Sequence, residues 1–151
     1  MSYQEKNITV SLASFTLILG FFLIRVIQMV LGDSFNSTNV FRLWGIVIVL
    51  AIVLTILGTI LTHILSAIIQ AIQSGGEEPE IEDLEDERDK LIDLRGTRVA
   101  YYFSAFGGFL AMLTFVIGQP ALVMFSLLIF FALVAQVVGD ISRLVLYRRG
   151  F

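Results

Sequence analysis

The sequence contains no cysteine, and it has only one histidine and one tryptophan among its 151 residues. Without cysteine the chain can form no disulfide, no thiolate metal site and no thiol nucleophile. A single histidine also excludes a metal site built mainly from imidazoles within one chain. The net charge of −3 is not basic enough to indicate contact with nucleic acid. These absences leave the chain with few of the side chains on which enzymes depend.

Apolar residues, in contrast, make up 57% of the chain, whereas a soluble domain is usually about 45–50% apolar. They form four runs, each near or above the roughly 20 residues that a membrane-spanning helix needs. The runs cover residues 8–31, 43–72, 99–117 and 121–146. They predict an all-α protein, an antiparallel four-helix transmembrane bundle that forms a single domain over residues 1–151.

Lysine and arginine are unevenly divided between the two faces that these spans define. Eight lie on the face that carries both termini and the connection between the second and third spans, and two lie on the other face. Because positively charged loops are retained in the cytoplasm, we expect both termini and residues 75–98 to be cytoplasmic.

The connection over residues 75–98 is strongly acidic, with ten carboxylates within residues 77–93. After Pro79 its apolar residues recur at helical spacing, which predicts a short cytosolic amphipathic helix that continues into the third span. A solvated charged face is the simplest interpretation, and a docking surface for a basic cytosolic protein is the functional one. Oxygen ligands for a divalent ion are present, but the pattern of a calcium-binding loop is not.

Polar and charged side chains within the spans are candidates for function because lipid makes them costly. The six candidates are Arg25, Gln28, His63, Gln136, Asp140 and Arg143. A rise of about 1.5 Å per residue places Arg25 near the outer surface, with Gln28 one turn away. The same count places His63, Asp140 and Arg143 near the cytosolic edge, where these three can meet.

Each of these candidates has a structural and a functional interpretation. Arg25 is either an interfacial anchor or a contact for a ligand or lipid head group. His63 either bonds a neighbouring carbonyl or forms a proton-sensing pair with Asp140. Asp140 and Arg143 are expected to form an i,i+3 ion pair that fastens the end of the fourth span. Gln136 is expected to bond another helix.

Small residues in the third span indicate close helix packing. Ala100, Ser104 and Gly108 recur every four residues, and Gly107 with Ala111 forms a second pair. This face serves either packing within the chain or a homodimer.

Two charged motifs carry a resemblance to a known family. Residues 86–102 read DERDKLIDLRGTRVAYY, and residues 147–150 read YRRG. Together with Gln4-Glu5-Lys6 they resemble signatures of small bacterial four-span membrane proteins of no established activity, and the resemblance covers the chain end to end. It implies a bacterial inner-membrane location. Members of that family are often encoded beside small helix-turn-helix regulators, which implies a regulatory pairing with a cytosolic DNA-binding protein.

The same two motifs supply the candidate docking residues, which are Asp86, Glu87, Arg88, Asp89, Arg95, Arg98, Arg148 and Arg149. Because the tail is basic and the connection is acidic, we expect Arg148 or Arg149 to pair with Asp86, Glu87 or Asp89.

The sequence therefore favours a non-enzymatic membrane interaction or regulatory protein without a cofactor. The expected partners are membrane lipid, a second copy of the chain and a cytosolic regulator, with no direct contact to nucleic acid. One alternative is an oligomeric transport or channel component. Another is a lipid- or hydrophobe-binding protein with a cavity between the spans under Arg25. An enzyme has the least support.

Overall fold

The computed structural model describes residues 3–73 and 87–149, which form four α-helices and, within these two ranges, no strand. The helices are α1 (Tyr3–Leu31), α2 (Ser37–Gln73), α3 (Glu87–Val116) and α4 (Ala121–Arg149). All four are long and apolar enough to cross a membrane. The predicted all-α fold with four transmembrane helices is therefore confirmed.

The start of α3 lies well before the third apolar run. The helix continues without a break from Glu87 into the apolar part, so the described part of the expected amphipathic helix is its first turns. Residues 74–86, which hold most of the acidic connection, lie outside the described residues.

Two tight turns reverse the chain between α1 and α2 and between α3 and α4. Asp33 (φ 48°) and Gly118 (φ 91°) adopt the left-handed conformation at these turns. At each, the N–H of the next residue bonds a carbonyl five residues back, which satisfies a carbonyl at the helix end. The side chain of Asn36 then caps α2 by accepting a hydrogen bond from the N–H of Asn39 at 3.0 Å. Each turn places its two helices side by side and antiparallel.

Across the bundle the helices follow the order α2, α1, α4, α3. Helix α4 packs most extensively against α3, α1 packs against both α4 and α2, and α2 hardly touches α4. A buried apolar cluster joins α2, α1 and α4, and it consists of Ile18, Phe22, Leu43, Val47 and Leu133. The outer faces of α2 and α3 expose many large apolar side chains, among them Ile52, Phe106 and Phe109. Such faces suit contact with lipid.

Helix α3 joins α4 through small residues instead of large ones. A Cβ added to Gly107 would overlap the side chain of Phe131 on α4. Ala111 is fully buried, and a Cβ on Gly139 would lie 3.0 Å from the Cβ of Ala100. The small-residue face therefore serves packing within the chain at these positions.

Two residues of the predicted four-residue repeat lie outside this contact. Ser104 is exposed, and a Cβ added to Gly108 would have no neighbour within 4 Å. The homodimer that this face was also expected to serve stays a prediction.

The adjacent glycines Gly107 and Gly108 provide a matched test of this interface. We expect Gly107→Ala to lower stability by about 1–3 kcal/mol, because the added methyl group forces Phe131 out of its position. Gly108→Ala should be neutral or stabilising by up to about 1 kcal/mol, because alanine favours helix and the site is open. Thermal unfolding of the two variants in detergent measures the difference. Equal midpoints would contradict this packing.

Candidate functional site

One end of the bundle carries most of the described charged residues. We call it the charged end; α1 and α3 begin there, and α2 and α4 end there. Polar side chains from three helices meet at this end in a set that we call the Asp140 cluster. It consists of Ser11 from α1, Asp93 and Thr97 from α3, and Gln136, Asp140 and Arg143 from α4.

The carboxylate of Asp140 lies at the centre of this cluster and is only 2% exposed. It accepts a hydrogen bond of 2.7 Å from the Ser11 hydroxyl on α1. It accepts a second of 2.8 Å from Nη1 of Arg143. The Gln136 amide, one turn earlier on α4, donates at 3.2 Å to the same carboxylate. A buried carboxylate needs this set of donors, because an unpaired charge out of water is strongly unfavourable.

The guanidinium of Arg143 uses all three of its nitrogens within the cluster. Nε donates to Asp93 at 2.9 Å, Nη1 to Asp140 at 2.8 Å and Nη2 to Thr97 at 2.9 Å. Gly96 makes room for this side chain, since a Cβ at that position would overlap it. Arg143 thus ties α3 to α4, and Asp140 extends the connection to α1 through Ser11.

A second polar contact joins α3 and α4 closer to the helix ends. The Tyr147 hydroxyl donates a hydrogen bond of 2.7 Å to Asp89, and Nη2 of Arg88 donates to the Tyr147 carbonyl at 3.4 Å. The C-terminal tail was expected to meet α3 through Arg148 or Arg149. In the described ranges the contact is instead made by Tyr147, while both arginines are exposed.

The remaining docking candidates lie on or near α3. Glu87, Arg88, Arg95 and Arg98 are all exposed there, whereas Asp86 lies outside the described residues. Their exposed side chains form the outer surface of the charged end.

The other intramembrane candidates do not join the Asp140 cluster. Arg25 is exposed near the far end of α1, where its Nη1 bonds Gln28 at 3.2 Å and its guanidinium lies 5.9 Å from the Phe21 ring centre. These contacts favour its interpretation as an anchor. His63 is exposed on α2, a helix that packs against α1 and hardly touches α4.

Within the Asp140 cluster, Gln136 was expected to bond another helix, but it bonds Asp140 on its own helix.

The Asp140–Arg143 pair was predicted from the sequence and forms at 2.8 Å, whereas the rest of the cluster was not predicted. Ser11, Asp93 and Thr97 were not singled out. The signal available for the two α3 residues was local: they flank Gly96 one helical turn apart, so they share a face with a site for a close neighbour. Ser11 has no comparable signal.

The Asp140 cluster forms part of the wall of a polar pocket of about 330 Å³ at the charged end. The starts of α1 and α3 flank this pocket, and α4 forms its floor. Polar lining residues include Gln4, Asn7, Ser11, Asp89, Asp93, Gln136, Asp140, Arg143 and Tyr147. Within residues 3–73 and 87–149 no group of three His, Cys, Asp or Glu side chains is placed to hold a metal ion.

Comparisons with protein-family models, curated proteins and solved structures found no match for this chain. The resemblance drawn from the two charged motifs therefore stays a prediction, and the geometry of the charged end carries the functional argument.

The importance of the buried pair can be tested by removing one charge and then both. We expect Arg143→Met to lower stability by about 3–5 kcal/mol, because it leaves the Asp140 carboxylate buried without its cation. Adding Asp140→Asn should restore part of this loss, since no buried charge remains. Thermal unfolding in detergent measures both changes.

The control for this test is Arg148→Met, which makes the same substitution at an exposed position of α4. Its effect should stay within about 0.5 kcal/mol. A double variant less stable than Arg143→Met alone would contradict the proposed origin of the loss.

Proposed function

We propose that the chain is a non-enzymatic membrane interaction protein whose charged end docks a basic cytosolic regulatory protein. In this proposal it resides in a bacterial inner membrane with both termini and the acidic connection in the cytoplasm. The docking surface comprises the acidic connection and the exposed first turns of α3.

The observation that carries the proposal is the clamped geometry of the charged end. Arg143, Asp140 and Ser11 hold three helices together at the end where the acidic connection joins α2 to α3. A surface held in one arrangement loses little conformational entropy when a partner binds. Next to this clamp the first turns of α3 expose Leu91 and Leu94 at about half of their area (49% and 55%), beside exposed charged residues. This mixture of apolar and charged side chains is suited to recognition of a protein.

Charge is the reason for choosing a basic partner. Ten of the thirteen acidic residues of the chain fall within residues 77–93. Complementary charge raises the rate of association and selects the partner. A regulator that binds DNA carries the basic surface that this segment would attract.

The transport alternative has less support from the described residues. The hydroxyl groups of Thr55, Thr59, Thr114 and Ser126 each bond a carbonyl of their own helix at 2.6–2.9 Å. The donors of these hydroxyl groups are therefore not available to a polar path, while the Asp140 cluster lies at one end of the bundle.

The proposal predicts that the charged end of the bundle is cytoplasmic and that the opposite end faces outward. Cysteines introduced singly at exposed Glu87 and at exposed Asp33 test it, because the chain has no native thiol. In intact cells a membrane-impermeant thiol reagent should label Asp33→Cys and spare Glu87→Cys until the membrane is broken. The reverse pattern would contradict a cytoplasmic charged end.

Docking itself is tested by neutralising the acidic connection while leaving α3 unchanged. We expect replacement of the acidic residues 77–85 by their amides to abolish capture of a basic cytosolic protein in pull-downs from a membrane-free extract. Binding of that protein in purified form should also weaken as salt rises, because salt screens exposed charges.

Asp33→Asn provides the matched control, since it removes a carboxylate at the opposite end of the bundle and should leave capture unchanged. The docking proposal is wrong if the captured protein binds the neutralised variant as tightly as it binds the native chain.

A further inference from the structure

The polar pocket adjoins an apolar groove of about 360 Å³. This groove lies between α2 and α4, which hardly touch each other, and α1 also lines it. Its walls include Phe15, Trp44, Ala132 and Gln136. Gln136 lines both the groove and the polar pocket.

A third, smaller cavity of about 110 Å³ between α1 and α2 borders both of them. It shares Asn7 and Ser11 with the polar pocket and Phe15 with the apolar groove. Polar space at the charged end therefore lies next to apolar space toward the middle of the bundle. A ligand that occupies both needs a polar head and an apolar chain.

The combined length of the pocket and the groove is sufficient for a lipid molecule. Along α4, Tyr147 at one end and Leu128 at the other are separated by about 28 Å at 1.5 Å per residue. Half of a bilayer, head groups included, is about 20–22 Å thick. The two cavities together are thus long enough to hold the head group and the first part of one chain of a single lipid.

The charges in the polar pocket favour a cationic head group. Three carboxylates, those of Asp89, Asp93 and Asp140, line the pocket together with one guanidinium, that of Arg143. That guanidinium already pairs with the carboxylates of Asp93 and Asp140 and donates from each of its nitrogens within the cluster, so the carboxylates outnumber the cations that line the pocket. The side chain of Asp93, in contrast, is 69% exposed and bonds Arg143 through only one of its oxygens. A group with several N–H donors and a positive charge would use the remaining acceptors.

From these observations we propose that the pocket and the groove together bind one membrane lipid whose head group carries a primary ammonium. The ammonium bonds the carboxylates of Asp93 and Asp89, and one acyl chain lies in the groove beside Ala132 and Phe15. The side-chain amide of Asn7, which forms no hydrogen bond within the described ranges, contacts the polar part of the head group.

Native mass spectrometry of the purified chain in detergent tests this proposal with two lipids of equal chain length. The probes are dioleoyl phosphatidylethanolamine and dioleoyl phosphatidylcholine, which differ only in the methyl groups that remove the N–H donors. We expect the ethanolamine lipid to bind with a stoichiometry of one and about tenfold more tightly, as charge-assisted hydrogen bonds imply. Equal affinities, or tighter binding of the anionic dioleoyl phosphatidylglycerol, would overturn the proposal.

Substitutions locate the head group. Asp93→Asn should reduce the affinity for the ethanolamine lipid to that for the choline lipid, while Glu87→Gln should leave it unchanged. Glu87 lies on the same helix, is exposed and does not line the pocket. Asn7 lies outside the Asp140 cluster, so Asn7→Ala should leave the unfolding midpoint unchanged. It should weaken lipid binding about two- to tenfold. Equal effects of Asp93→Asn and Glu87→Gln, or no effect of Asn7→Ala, would count against this placement.

Further arms separate the chain from the head group. Ala132→Phe fills part of the groove and should weaken binding of both lipids, whereas Ala105→Phe on the exposed face of α3 should not. Soluble ethanolamine at the same concentration should fail to displace the lipid. Displacement by ethanolamine alone would show a site for a soluble amine and overturn the assignment to a lipid.

Discussion

The buried carboxylate of Asp140 is the constraint on which the charged end depends. At 2% exposure it cannot rely on water, so its donors must come from the protein. Those donors lie on α1 and α4, and Arg143 brings in α3 through Asp93 and Thr97. Satisfying one charge thus fixes the mutual positions of three helices. The apolar cluster around Ile18 and Leu133 then extends this arrangement toward the other end.

Side-chain size decides how closely each helix approaches its neighbour. Gly96, Gly107 and Gly139 let α3 lie directly against α4, and such close packing replaces the hydrophobic effect as a source of association between helices in lipid. Helix α2 uses Leu43 and Val47 to reach the core. It packs on α1 and hardly touches α4, which leaves the apolar groove open. A close contact on one side of α4 and a groove on the other therefore follow from where the small residues lie.

The four apolar runs were sufficient to predict the fold, because a span of lipid demands helices of a minimum length. The Asp140–Arg143 pair was also predictable, since three residues of separation place both on one helix face. Ser11 was not, because 129 residues separate it from Asp140 and only tertiary packing brings them together. Only part of the four-residue repeat faces α4, for a geometric reason. At about 100° per residue, Gly96, Ala100, Gly107 and Ala111 fall within about 60°, whereas Gly108 lies about 120° from Gly96. Arg148 and Arg149 are exposed, and the contact with Asp89 is made by the Tyr147 hydroxyl instead.

The two proposals for the charged end meet at the start of α3, where Asp89 is a docking candidate and also binds the ammonium, and this has a thermodynamic consequence. The second ammonium ligand is Asp93, whose carboxylate bonds Arg143 and also borders the polar pocket. An ammonium group that bonds the second oxygen of Asp93 would share this carboxylate with Arg143 and alter the tie between α4 and the start of α3. Since α3 begins where the acidic connection ends, a change in that tie alters the docking surface. Linkage requires the coupling to be reciprocal, so a docked partner would change lipid affinity by the same factor. Binding of the lipid and binding of the partner are therefore coupled wherever either one changes the contact between Asp93 and Arg143.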